Sequence, residues 1–291
     1  MKKTDVSFGA YFNQFRRERQ IPLAAALPSG ISALSRFEQG HTQLSIERMH
    51  QVMARIGLMY SDLDEHFDVI SSPFTKAAEA IIAERYAPKL SRIQSIIANY
   101  LLAVGEQSGR LALLNRAVFQ VIGDTVAKRQ TVMLAQQTQQ NIQALLEHNN
   151  QWLTYDYLLL RLAVSHLDSS KIVTCVEMAQ QRTNNAPAHY QGEYAQVVQQ
   201  GVLVLLCRQQ WDQAQELADQ LAGIKPSAYW VQDMFTKNLL SQVLANLSDC
   251  SKLHVALIEL TDALDVMGLT DMQTYAEEVF QQIQGKPGVL V

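Results

Sequence analysis

The residue types most able to do chemistry together lie in one short stretch, Ser29-Gly-Ile-Ser-Ala-Leu-Ser-Arg-Phe-Glu-Gln-Gly40. Arg36 supplies a planar cation that can meet a guanine edge or a phosphate with two parallel hydrogen bonds. Ser29, Gly30, Ser32, Ala33 and Gln39 surround it with small or polar groups. Ile31, Leu34 and Phe37 recur every third position, the spacing of a buried helical stripe. Ser29 is placed to cap the start of that helix, and Gly40 to end it in a left-handed turn. A helix with a small, polar outer face fits the major groove of duplex DNA. An ordinary amphipathic surface helix has the same pattern, and spacing alone leaves both readings open.

The elements that would hold this helix are short. Phe8, Tyr11, Phe12 and Phe15 follow the i, i+3, i+4, i+7 pattern and predict a first helix over Ser7–Arg19. Arg17 and Arg19 close it with positive charge that suits the helix dipole or a phosphate. Pro22 opens a second helix, Leu23–Leu27, which Pro28 ends. A fourth runs from Ser45 to Gly57 with Ile46, Met49, Val52, Met53 and Ile56 inward, and Ser61–Asp64 has the form of a capping box for a fifth. Five short helices with a tight turn between the second and third make a helix-turn-helix domain.

Charge supports a division of labour. Residues 1–58 carry an excess of four positive charges, whereas the 291-residue chain totals −4, so the remainder carries −8. A basic end joined to an acidic body points to nucleic acid at one end only. With 13 Gly and 7 Pro, and hardly any alternating apolar pattern, the class expected is all-α. No apolar run approaches the roughly 18 residues of a membrane span. Cys175, Cys207 and Cys250 form no C-x-x-C pair, which fits a reducing cytoplasm. Phosphate-loop, zinc-protease and nucleophile-elbow motifs are lacking, and Cys250 with His254 supplies only two of the four ligands a zinc site needs. Neither enzyme activity, metal nor cofactor is expected.

The run Leu34-Ser-Arg-Phe-Glu-Gln-Gly40, about 20 residues downstream of an aromatic-rich helix, resembles the repressor-type (XRE-like) helix-turn-helix. Its form is similar to the Rgg/GadR/MutR family of transcriptional regulators. Trp152-Leu-Thr-Tyr-Asp-Tyr157 resembles that family's W-x-x-Y-E-L segment, and the length also matches. The resemblance implies that Ser32, Ala33 and Arg36 lie nearest DNA, and that Arg16 pairs structurally with Glu38. This chain departs from the pattern at Gln39, where many relatives carry a second arginine. It departs again at Ile31 and Ala33, where they carry longer polar residues. Fewer charge-assisted contacts imply weaker affinity or an unusual operator.

Beyond a hinge at 69–73, residues 74–291 read as successive helices: Phe74–Tyr86, Lys89–Gly105, Arg110–Ile122, Thr125–Glu147, Leu153–Ser165, Ser170–Arg182, Tyr190–Arg208, Trp211–Ala222, Ala228–Leu247, Lys252–Met267 and Asp271–Ile283. Tyr190–Ala222 resembles a degenerate tetratricopeptide pair, and stacked pairs create a concave surface suited to an extended peptide. The family resemblance implies a short hydrophobic peptide pheromone bound there. Asn149, Asn150, Arg161, Tyr190, Tyr194, Trp230 and Asn238 are candidate groove residues. The expectation is a cytoplasmic homodimeric regulator with a head at 1–68 on double-stranded promoter DNA. Two rivals remain open: the same build answering acid, a metabolite or a protein, and a helical-repeat adaptor whose head no longer touches DNA.

Overall fold

The computed structural model describes residues 7–67, 71–184, 186–187, 189–224, 231–247 and 250–284, with the backbone alone at 64–66, 222, 231 and 250. Among these there are sixteen α-helices and no strand. The chain divides into two compact units, Met1–Ser72 and Pro73–Val291.

The first unit contains α1 (Phe8–Glu18), α2 (Leu23–Ala26), α3 (Ile31–Glu38), α4 (Ile46–Ile56) and α5 (Tyr60–His66). Ser7 caps α1, its hydroxyl accepting from the Ala10 N–H at 3.3 Å. Its core gathers Phe12, Leu27, Leu34, Phe37, Val52, Met53, Ile56 and Leu63. Aromatic rings bind α1 to α3: Phe12 meets Phe37 edge-on at 5.2 Å. Gly9 faces the C-terminal end of α3 so closely that a Cβ there would fall inside the Phe37 carbonyl. Only glycine allows that approach.

Several expectations need correction here. Ser29 does not cap α3. It lies in a 3-10 turn, Pro28–Gly30, and Gly30 occupies the cap position without a side-chain bond. Ile31 is 44% exposed and Ile46 is 65% exposed, so neither belongs to the buried stripe. Both are the first residue of their helix, where the chain has not yet come over the core. The side-chain cap of α5 is Asp62, which accepts from the Met59 N–H at 2.8 Å.

The second unit comprises α6 (Pro73–Ala83), α7 (Leu90–Val104), α8 (Arg110–Lys128), α9 (Gln136–His148), α10 (Thr154–Ala163), α11 (Ser169–Thr183), α12 (His189–Cys207), α13 (Trp211–Ala222), α14 (Val231–Ala245), α15 (Cys250–Val266) and α16 (Thr270–Ile283). Most consecutive helices pack on one another, α9 and α10 being exceptions that pack on α11 and on α6 and α12, and α12 is the hub, touching α10, α11, α13, α14 and α16. Gly201 lets it approach: a Cβ would sit 3.3 Å from both Ile172 and Leu217 side chains. Trp152 is buried and donates its indole N–H to the Leu146 carbonyl at 3.0 Å. Tyr157 stacks on Tyr190 at 5.4 Å and shares a 2.6 Å hydrogen bond with Thr183.

One predicted break is misplaced. The helix starting at Arg110 does not stop near Gly123 but continues to Lys128, ending at Arg129 in a left-handed conformation (φ 52°). A single helical glycine costs only about 1 kcal/mol relative to alanine. Gly123 is half-buried against Ile97 of α7, where packing outweighs that cost. No described helix is long and apolar enough to cross a membrane.

Candidate functional site

Among the described residues, two polar arrangements bear on function, one in each unit. In the first, α3 turns Leu34 and Phe37 inward and leaves Ser32, Arg36 and Gln39 exposed, with Ala33 half-buried at the edge. Ser29, Arg17 and Arg19 are also exposed, and Gly30 is half-buried. Arg19 lies over the Phe15 ring at 5.0 Å, its stem anchored and its charge at the surface. The far end of α3 closes with two backbone bonds, His41 N–H to Arg36 carbonyl and Gly40 N–H to Phe37 carbonyl, both 2.9 Å. Gly40 has φ 78°, the left-handed geometry this closure requires.

Beneath that face, Arg16 and Glu38 form a buried two-pronged pair. Arg16 Nε donates to Glu38 Oε1 at 2.6 Å, and a terminal nitrogen donates to Oε2 at 2.7 Å. The remaining donors reach the Ile21 carbonyl at 2.8 Å and Asn13 Oδ1 at 3.3 Å. The Glu38 hydrogen bond raises the Arg16 pKa above its ordinary value, outweighing desolvation. One guanidinium thus ties α1 to the end of α3 and to the α1–α2 turn.

The second place is a cleft of about 490 Å³ between α6, α10, α12 and α14. Arg161 rises into it from α10, and Arg85 from the 3-10 turn after α6. Their acidic partners come from other helices. Arg161 reaches Glu193 Oε2 at 3.3 Å, and Arg85 reaches Asp233 Oδ1 at 3.5 Å. Gln196 holds the other Asp233 oxygen at 2.9 Å, and Gln199 donates to the Asp233 carbonyl at 2.8 Å. Both contacts to the acids are long for charged hydrogen bonds, while Arg85 also donates to the Tyr86 hydroxyl. Arg85 Nε and Arg161 Nε are buried without a hydrogen-bond partner. Burial, reinforced by the nearby Arg85 charge, pushes Arg161 down to about 10. The cleft therefore has more hydrogen-bond donors than it uses, and it suits a ligand rich in carbonyl or carboxylate oxygens.

Of the groove candidates named from sequence, Arg161 lines this cleft. Asn149 donates instead to Asp156 Oδ1 at 2.7 Å, where that carboxylate also holds the Leu153 N–H at the start of α10. Tyr190 is buried against Tyr157, and Tyr194 donates to Gln220 at 2.6 Å. Asn150 and Asn238 are exposed and do not line it. Trp230 and the side chain of Cys250 lie outside the described residues. Arg85, Glu193, Gln196 and Asp233 were not singled out from sequence; their proximity spans 32 to 148 positions, which no local pattern encodes.

No family model matches the sequence, and no curated protein matches it. Solved structures do. The Streptococcus dysgalactiae SHP pheromone receptor Rgg2 superposes with a TM-score of 0.69 at 10% identity, covering 95% of this chain and 100% of its own. PrgX in complex with cCF10 gives 0.65 at 15% identity over 96% and 93%. The chain has the Rgg/PrgX fold. A candidate transcriptional regulator from Listeria monocytogenes EGD-e shares this fold, with a TM-score of 0.72 at 10% identity over 95% and 97%. The likeness thus extends over nearly the whole chain and includes both units of the Rgg/PrgX fold.

Proposed function

We propose that this protein is a DNA-binding transcription regulator controlled by a short peptide. Residues 1–68 form the DNA-reading head, 69–73 the hinge, and 74–291 the effector-binding and dimerisation body. The observation that carries the reading is the outward face of α3, with Ser32 and Arg36 exposed on a helix locked from beneath by Arg16 and Glu38. Two such heads in a homodimer would read an inverted repeat, with Arg17 and Arg19 holding phosphates and Arg36 meeting a base. Likeness to peptide-pheromone receptors supports the effector class. In the cleft, Arg161 and Arg85 would donate to peptide carbonyls or a terminal carboxylate, while Ile82 and Leu158 receive apolar side chains. The peptide acts by favouring one arrangement of the dimer over another, since equal affinity for both shifts nothing. The setting is cytoplasmic, the role is regulatory rather than enzymatic, and neither metal nor cofactor takes part.

Fluorescence anisotropy of the full chain on DNA from upstream of its own gene tests the reading. Affinity should fall steeply as salt rises, because phosphate contacts release counterions. Salt-independent or absent binding to every upstream duplex overturns it. Calorimetry with short hydrophobic peptides encoded beside the gene tests the effector. Heat with wild type that disappears in Arg161→Met places the peptide in the cleft, whereas silence across all such peptides favours a non-peptide signal.

A further inference from the structure

Within the first unit, the residue out of keeping with its surroundings is Ile31. It is the first residue of α3, the helix proposed to enter the groove, and much of its hydrocarbon is exposed. Its neighbours in sequence, Gly30 and Ser32, are too small to cover it. At about 100° per residue, the inward sector is taken by Leu34, Phe37 and Glu38, and the outward one by Ser32 and Arg36. Ile31 stands between these sectors at the N-terminal tip. In a helix-turn-helix that tip is the part that reaches base edges.

Other exposed apolar residues of the unit, Ile46, Met59 and Tyr60, start or precede other helices. Ile31 alone shares a helix with the exposed Arg36 and the exposed Ser32. A lone branched hydrocarbon beside a serine and an arginine is a poor seat for an apolar protein surface, which would need a broader patch. It matches a polyanion whose groove floor carries isolated methyl groups. In the major groove that methyl belongs to thymine, and apolar side chains recognise it by contact.

We propose that Ile31 reads the 5-methyl group of a thymine in each half-site. This rests on the DNA-reading role of α3 and adds a base identity to it. Contact between the isoleucine branch and the methyl removes apolar surface of both from water, and discrimination is against cytosine and against any thymine lacking its methyl. Ser32 and Arg36 would then read adjacent positions by hydrogen bonds.

The test begins by selecting a binding site from random duplexes with the full-length chain. Each thymine of that site is then replaced in turn by deoxyuridine, which removes the methyl and leaves base pairing intact. Wild type should lose about fourfold in affinity at one thymine per half-site, the amount expected for one buried methyl-sized group. Ile31→Ala should bind thymine and deoxyuridine duplexes equally at that position, while Ile31→Val, still branched, should keep the preference. Indifference of the wild type to every methyl overturns the proposal and leaves DNA reading standing. So does Ile31→Ala that retains the full methyl effect, or that weakens binding equally on both duplexes. Failure to select any salt-sensitive site overturns the DNA-reading role and this inference with it.

Discussion

Two buried arginine arrangements, one per unit, are built on opposite terms. Arg16 makes three short bonds, two to Glu38 and one to the Ile21 carbonyl, and a longer one to Asn13. Arg161 and Arg85 touch their acids at 3.3 and 3.5 Å and each keeps a buried Nε without a partner. A buried charge that is fully hydrogen-bonded fixes geometry, whereas one left under-bonded is costly until something supplies oxygen. The first arrangement is complete within the chain. Under the proposed function, the second becomes complete when a peptide supplies oxygens to it.

The largest effect should come from opening the closed pair. Glu38→Ala strands the Arg16 charge and should cost about 3–5 kcal/mol. The readout can be assigned to a unit, because Trp152, Trp211 and Trp230 all lie in the second. Helical circular dichroism should show a low-denaturant step that tryptophan emission does not follow. Coincident loss of both signals would contradict the division drawn here.

Next in size is an acid effect confined to the second unit. His166 is buried, its Nδ1 2.7 Å from the Val132 carbonyl, and burial with the nearby Arg208 charge pushes it down to about 4. A depressed pKa means stability is fully present above the unfolded value of about 6.5 and drains away as pH falls towards 4. Urea unfolding followed by tryptophan emission should therefore lose up to about 3 kcal/mol across that window. His166→Gln should flatten part of the slope, and an unchanged slope would assign it to carboxylates instead.

Arg36→Ala should cost about 1–3 kcal/mol in DNA affinity and relax preference at one base, measured by anisotropy on operator variants. Its effect on folding should stay within about 0.5 kcal/mol, as for other exposed side chains. Arg161→Met should also change stability little, although its side chain is buried. Glu193 is 29% exposed in its side chain and can return to water, so removing its partner strands little. Replacing an under-bonded buried cation by a hydrophobe is often neutral or better, within about 1 kcal/mol. A loss comparable to that of Glu38→Ala would erase the contrast between the two arginine sites.

The all-α class was legible because apolar residues recur every three or four positions while glycine and proline are scarce. Gly57 and Gly268, with φ 68° and 70°, mark real helix ends, and so does Pro88 after α6. The expected break between Ile122 and Thr125 does not form because a helix interior tolerates a glycine that packs well, as Gly123 does, and Arg129 shows that a left-handed end needs no glycine. Ile31 and Ile46 misled for a different reason: periodicity gives a residue's angle around the axis but not whether the core extends under the first turn. The cleft was the least legible part. Arg161 stands out as a cation inside the apolar run Tyr157–Ala163, yet Arg85 and Asp233 converge on it from distant helices.

The close approach at Gly9 has a mechanical consequence. With the backbone of α1 resting against the end of α3, the two helices cannot slide or tilt without a collision of main-chain atoms. If α3 reads DNA as proposed, it does so as a stiff key whose teeth keep their spacing under load. In the proposed regulator, a peptide's message would then have to turn the key as a whole, and the lock would sense a change of angle or separation between two keys rather than a change in either one.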